Sequence, residues 1–234
     1  MPGPESTGPR AVSQVLGLAL LLAAVWGPGS AVAQSGQMWA MAETYKHNQE
    51  KLQGYSWSSR TEVTVGGKLK ELTLFRVRYG VDGELHKTPL GTQEPQQKKR
   101  GDRKKLKRAS AFNQGLRELI RSYTQFTPRQ MHSVFARAGE WPGAGPTEGV
   151  TRVQARGVVR QGDSMDLWVD SRTRRLRRVE IRTSLDGEFV SVVTEFRDLQ
   201  DGPTYPARTL VKTETRGKPL LIQTENFGYV RQGP

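Results

Sequence analysis

Residues 164–198 read SMDLWVDSRTRRLRRVEIRTSLDGEFVSVVTEFRD, and their spacing decides the fold. Met165, Leu167 and Val169 alternate with polar or outward-facing neighbours, as do Val179 and Ile181, then Val190, Val192 and Phe196. Apolar side chains recurring every second residue are the mark of a half-buried strand. Asp170-Ser171-Arg172-Thr173 and Asp186-Gly187 interrupt the runs at hairpin length, and Asp-Gly tolerates the positive φ of a tight turn. Strands joined this way form an antiparallel meander with one greasy and one polar face.

The same punctuation continues in both directions. Runs at 151–160, 206–215 and 219–230 are set off by Gly162-Asp163, Asp201-Gly202 and Arg216-Gly217-Lys218. Nearer the N-terminus, Tyr55, Trp57, Ser59, Thr61, Val63 and Val65 share a face up to Gly66-Gly67. A strand returns through Phe75, Val77 and Tyr79, and Asp82-Gly83 leads into a short strand from Glu84 that ends at Pro89. Three helices interrupt this pattern. One covers about Gln37 to Gln53, with Met38, Met41, Ala42, Tyr45 and Leu52 near helical spacing. A second carries the stripe Phe112, Leu116, Leu119, Ile120 and Tyr123. The third opens on Thr127-Pro128-Arg129-Gln130, an N-cap, a first-turn proline and a capping-box glutamine, and continues through Met131, Val134, Phe135 and Ala138. Gly139 to Gly149 reads as a loop.

The predicted class is α+β, mainly antiparallel β, with about nine or more strands whose apolar face the helices must cover. The space they enclose is either a packed core or a pocket for an apolar ligand, and both satisfy the spacing.

Arg10, the apolar run from Val12 to Trp26, Gly27-Pro28-Gly29 and the small-residue site Ala31-Val32-Ala33 read as a secretory signal peptide over residues 1–33, cleaved after Ala33. This predicts an exported, periplasmic protein in which residues 34–234 form a single domain. Its formal net charge is +13, and the signal removes only Arg10 and Glu5, so the positive field belongs to the exported part. The absence of cysteine excludes disulfides, a lipid-attachment thiol and thiolate metal sites. His47, His86 and His132 lack metal-ligand spacing, and no Gly-x-Ser-x-Gly elbow occurs. Only dispersed strand carboxylates such as Glu62, Asp166 and Glu180 are available for catalysis, so neither catalytic residues, nor metal, nor cofactor is predicted.

A basic insertion occupies residues 91–108, where Lys98, Lys99, Arg100, Arg103, Lys104, Lys105, Lys107 and Arg108 crowd together without apolar periodicity. It reads as a loop or frayed helix start, either a solvated tether or an attachment point for an anionic membrane surface. Export and the lack of a recognised motif argue against nucleic acid.

The order of elements resembles the LolA-type outer-membrane lipoprotein-sorting superfamily. The resemblance rests on the strand Leu167-Trp168-Val169-Asp170 returning as Arg177-Arg178-Val179-Glu180-Ile181, and on Tyr205-Pro206-Ala207-Arg208 through Glu225-Asn226-Phe227-Gly228-Tyr229. It covers roughly Gln37 to Arg231, and the basic insertion departs from it. The resemblance implies a strongly curved, incomplete β-barrel closed by a lid of short helices, carrying lipid or lipoprotein acyl chains in its hollow. On that reading Tyr55, Trp57, Phe75, Val77, Tyr79, Leu167 and Val169 line the hollow, with Leu116, Ile120 and Phe135 from the lid. The second reading is an envelope scaffold or sensor with a filled core, whose basic loop binds an anionic polymer, a membrane surface or an envelope protein partner.

Overall fold

The computed structural model describes residues 29–80, 82–93, 103–124, 126–140, 149–200, 202–215 and 217–233. Helix α1 (Gly29–Leu52) leads into strands β1 (Tyr55–Val65), β2 (Lys68–Tyr79) and β3 (Leu85–Gln93). Helices α2 (Arg103–Thr124) and α3 (Pro128–Arg137) follow, then β4 (Gly139–Glu140), β5 (Val150–Arg156), β6 (Ser164–Asp170), β7 (Leu176–Leu185), β8 (Glu188–Asp198), β9 (Thr204–Thr215) and β10 (Lys218–Arg231).

The strands form one antiparallel sheet in the order β3-β2-β1-β10-β9-β8-β7-β6-β5-β4. The N-terminal three strands attach through β1 to the C-terminal strand β10, so the chain leaves the sheet at one edge, β3, and re-enters at the other, β4. Helices α2 and α3 lie between those edges in sequence, which obliges them to cross the sheet. They do so on its apolar side. The result is the unclosed barrel with a helical lid that the sequence predicts.

The core forms where the lid meets β5 to β8. Val153, Met165, Leu167, Val169, Ile181, Val190 and Val192 are sealed from solvent, and Leu116, Leu119, Tyr123, Met131, Val134 and Phe135 from α2 and α3 close over them with Met41 and Ala42 of α1. Every residue of the predicted α2 stripe is buried or half-buried. In α3 the Thr127 hydroxyl accepts the Gln130 N–H while the Gln130 side chain accepts the Thr127 N–H, completing the capping box.

Several boundaries differ from the sequence reading. Strand β3 does not stop at Pro89 but runs to Gln93, with a register shift opposite Leu74 and Phe75. An edge strand is where a missing N–H costs least. The insertion is shorter than expected, since Gly91 to Gln93 belong to β3, and Arg103, Lys104, Lys105, Lys107 and Arg108 lie on α2. Lys98, Lys99 and Arg100 fall outside the described residues, as do residues 1–28 of the predicted signal peptide. Within the presumed 139–149 loop, Gly139 and Glu140 pair with Gln154 and Val153. Strand β5 ends at Arg156 because residues 157–160 wrap around Asp163.

Candidate functional site

Cross-strand register sorts the concave face into rows. One is apolar: Val63, Ile222, Val211, Val192, Ile181, Met165 and Ala155 lie side by side from β1 to β5. The next row is made of hydroxyls. Thr92, Thr73, Thr61, Thr224, Thr209 and Thr194 stand in register across six consecutive strands, and only then does the row turn apolar at Val179 and Leu167. Thr61 and Thr224 share a hydrogen bond of 3.2 Å, and Thr194 and Thr209 one of 3.1 Å. Each such pair uses one proton, leaving a second hydroxyl proton for another acceptor.

Beyond the hydroxyls the face becomes aromatic. Trp57 stacks on Tyr229 at 5.1 Å between centroids and tilts against Tyr79 at 5.9 Å, while Tyr229 meets Tyr205 at 4.3 Å. A bulge builds this arrangement. Ser58 pairs with Phe227 and Ser56 with Val230, so β10 carries one extra residue, and Gly228 adopts φ +63°. The bulge turns Tyr229 inward beside Trp57. Burial raises the Tyr79 hydroxyl to about 12, and burial followed by the neighbouring Tyr205 and Tyr79 raises that of Tyr229 further. The Tyr229 hydroxyl is buried without a hydrogen-bond partner among the described residues.

Helix α1 holds this end in place. The Asn48 side chain accepts the Thr204 N–H at 2.6 Å and donates to the Thr204 carbonyl at 2.7 Å. Tyr79 donates to Gln49 at 3.3 Å, and Tyr45 donates to the Phe126 carbonyl at 3.2 Å.

The residues predicted to line a hollow divide into two groups. Leu116, Phe135, Leu167 and Val169, with Ile120 against them, belong to the packed core beneath the lid. Trp57 and Val77 are buried, and Tyr55, Phe75 and Tyr79 half-buried, at the aromatic end, where Tyr55 approaches the Gly202 turn. Lys87 shares the Val77 and Trp57 row; desolvation first, and then Arg121 of α2, lower its ammonium below the ordinary lysine range. A cavity of about 480 Å³ opens between α2, α3 and Val158 and Val159. None of the predicted lining residues borders it.

The convex face carries a different chemistry. Arg60, Glu225, Arg208, Glu195, Arg178, Trp168 and Arg152 form one row in register from β1 to β5, alternating in charge as far as Arg178. The Arg152 and Arg178 guanidinium groups cover the two sides of the Trp168 ring at 5.4 and 5.5 Å. Asp166, 1% exposed, takes Arg152 at 3.1 Å and Arg182 at 3.3 Å, and Arg182 also holds Glu180 at 2.7 Å. Glu62 pairs with Arg60 at 3.4 Å. Glu62, Asp166 and Glu180 are thus each engaged by arginine. His47 and His86 each lie beside one carboxylate, Glu50 and Asp82, and no group of three metal-binding side chains converges among the described residues.

Sequence reading missed the threonine row, Tyr229, Asn48 and Asp163. The threonines are one per strand, so only the register unites them. Gly228 within a strand pattern is the one local signal for the bulge.

No protein-family model matches the chain, and no curated protein matches it. Among solved structures, the chain is similar to the crystal structure of a LolA superfamily protein from Nitrosomonas europaea. The two share 11% sequence identity with a TM-score of 0.40, over 84% of this chain and 94% of that one.

Proposed function

We propose that the protein is a non-catalytic, periplasmic lipid-binding carrier that holds acyl chains against the aromatic end of its concave face. The observation that carries this reading is the juxtaposition of an aromatic cluster, an in-register hydroxyl row and an apolar row on one face under a helical lid. A lipid has matching parts. Its chains would lie along Trp57, Val77, Tyr79 and Tyr229, while its ester or amide oxygens would accept from the threonine hydroxyls. This agrees with what the sequence resemblance implies. It also narrows the earlier lining: Leu116, Phe135, Leu167 and Val169 serve as the packed wall, and ligand contact falls to Trp57, Phe75, Val77 and Tyr79. The basic segment around Lys98 to Arg108 would attract the carrier to anionic envelope surfaces.

The test is lipid extraction and native mass spectrometry on protein purified without detergent, with displacement of a fluorescent fatty acid. A lipid adduct displaced by the probe supports the carrier. A clean protein mass with no probe binding overturns it in favour of the scaffold reading, in which the sheet and lid enclose only a core.

A further inference from the structure

We infer that the outer face of the β10-β1-β2 wing, directly behind the aromatic end, docks on an anionic lipid bilayer through Phe227, Val230, Arg76 and Arg78. The register places these side chains together: Phe227, Ser58 and Arg76 form one cross-strand row, and Val230, Ser56 and Arg78 the next. The bulge at Gly228 is what allows it. Phe227 and Val230 are an odd number of residues apart and would point to opposite faces of a regular strand, but the extra residue brings both to the outside. They are 48% and 57% exposed.

Arg76 and Arg78 differ from most other arginines of the convex face. Arg60, Arg152, Arg178 and Arg182 are engaged by Glu62, Glu225, Asp166, Glu180 or Glu195, and Arg208 donates to Gln223. Arg76 and Arg78 are exposed and engage no carboxylate among the described residues. Free guanidinium groups flanking solvent-facing apolar side chains match an anionic membrane interface, which takes up both charge and apolar surface. The net charge of +13 works against a second copy as the occupant. The inference deepens the carrier reading, since docking here would bring the Trp57 and Tyr229 end to the bilayer from which chains are loaded.

The chain contains no cysteine, so single cysteines report cleanly. Phe227→Cys and, as a control on the far β7-β8 hairpin, Phe189→Cys are labelled with an environment-sensitive dye and mixed with phosphatidylglycerol–phosphatidylcholine vesicles. The expected result is a blue shift at 227 and none at 189. Arg76→Glu/Arg78→Glu should weaken vesicle binding roughly tenfold or more, since each basic residue near such a surface contributes about fivefold. Its circular dichroism and its retention of a fluorescent fatty acid should be unchanged. No shift at position 227, equal shifts at both positions, or unchanged binding by the double variant overturns the docking face. Fatty-acid retention is read separately: docking without retention removes the carrier reading alone, and retention without docking removes this inference alone.

Discussion

The Tyr123 hydroxyl of α2 donates to the Asp163 carboxylate at 2.5 Å, fastening the lid to the loop between β5 and β6. Asp163 also accepts the N–H groups of Val158, Val159 and Arg160 at 2.7, 2.9 and 2.8 Å, and Tyr123 reaches Thr183 of β7 at 3.2 Å. One carboxylate therefore organises a turn and anchors a helix. Tyr123→Phe should cost about 1–2 kcal/mol in urea unfolding. Asp163→Ala, which strands three N–H groups and the tyrosine hydroxyl, should cost about 3 kcal/mol or more. Equal small losses would show that the lid is held by apolar packing alone.

Acid stability follows from the same contacts. Burial alone would raise Asp163, but the Tyr123 hydroxyl and the three N–H groups outweigh it and the group titrates below the usual range. Asp170 falls to about 2, chiefly through the Thr173 N–H. Asp198 is also lowered, burial being outweighed by the Thr204 hydroxyl and Arg177. A carboxylate depressed in the folded state stabilises above its unfolded value near pH 4 and loses that contribution as pH falls toward the folded value. Urea midpoints should hold down to about pH 4 and drop between about pH 4 and 2.

The alkaline limb has the opposite sign. Tyr79 and Tyr123 are raised to about 12, in each case first by burial. A phenol raised in the folded state stabilises below its unfolded value near pH 10, and that contribution disappears as pH climbs toward the folded value. Absorbance at 295 nm should show these phenols ionising only together with loss of tertiary structure. Full ionisation near pH 10 in the folded protein would contradict their burial.

The Asn48 amide ties helix α1 to the start of β9. Asn48→Ala leaves the buried Thr204 backbone with neither of its side-chain partners, and should cost about 2 kcal/mol. Hydrogen exchange at the Thr204 amide should accelerate before that of Val211 in the same strand.

On the convex face, Asp166→Ala removes the carboxylate shared by Arg152 and Arg182. Breaking a buried ion pair by deleting one partner costs about 3–5 kcal/mol. A variant unfolding within about 0.5 kcal/mol of the parent would mean that solvent already screens this network.

What was legible in the sequence was whatever repeats within a single element. Met165, Leu167 and Val169 declared their face, Leu116 and Tyr123 their helix, and Thr127 and Gln130 their cap, because period and capping are local. Thr61, Thr224, Thr209 and Thr194 were invisible as a group, since each contributes one ordinary strand residue and only the attachment of β1 to β10 aligns them. The face of Phe227 does not follow from strand alternation, because one bulge inverts the parity on either side of it. Asp163 looked like a turn residue, and its pairing with Tyr123 depends on how the lid crosses the sheet. Leu116, Phe135, Leu167 and Val169 read equally as core or as pocket lining, because a packed wall and a ligand wall share the same apolar pattern.

The central claim is that ligand contact is confined to the aromatic end and the hydroxyl row. Its most direct test is native mass spectrometry of detergent-free protein, comparing the parent with Trp57→Ala and Leu116→Ala. Leu116→Ala should cost about 2–5 kcal/mol of stability as a core truncation yet keep the lipid adduct. Trp57→Ala should lose the adduct while the protein stays folded. The opposite pattern, with the adduct lost from Leu116→Ala and retained by Trp57→Ala in folded proteins, would contradict the account.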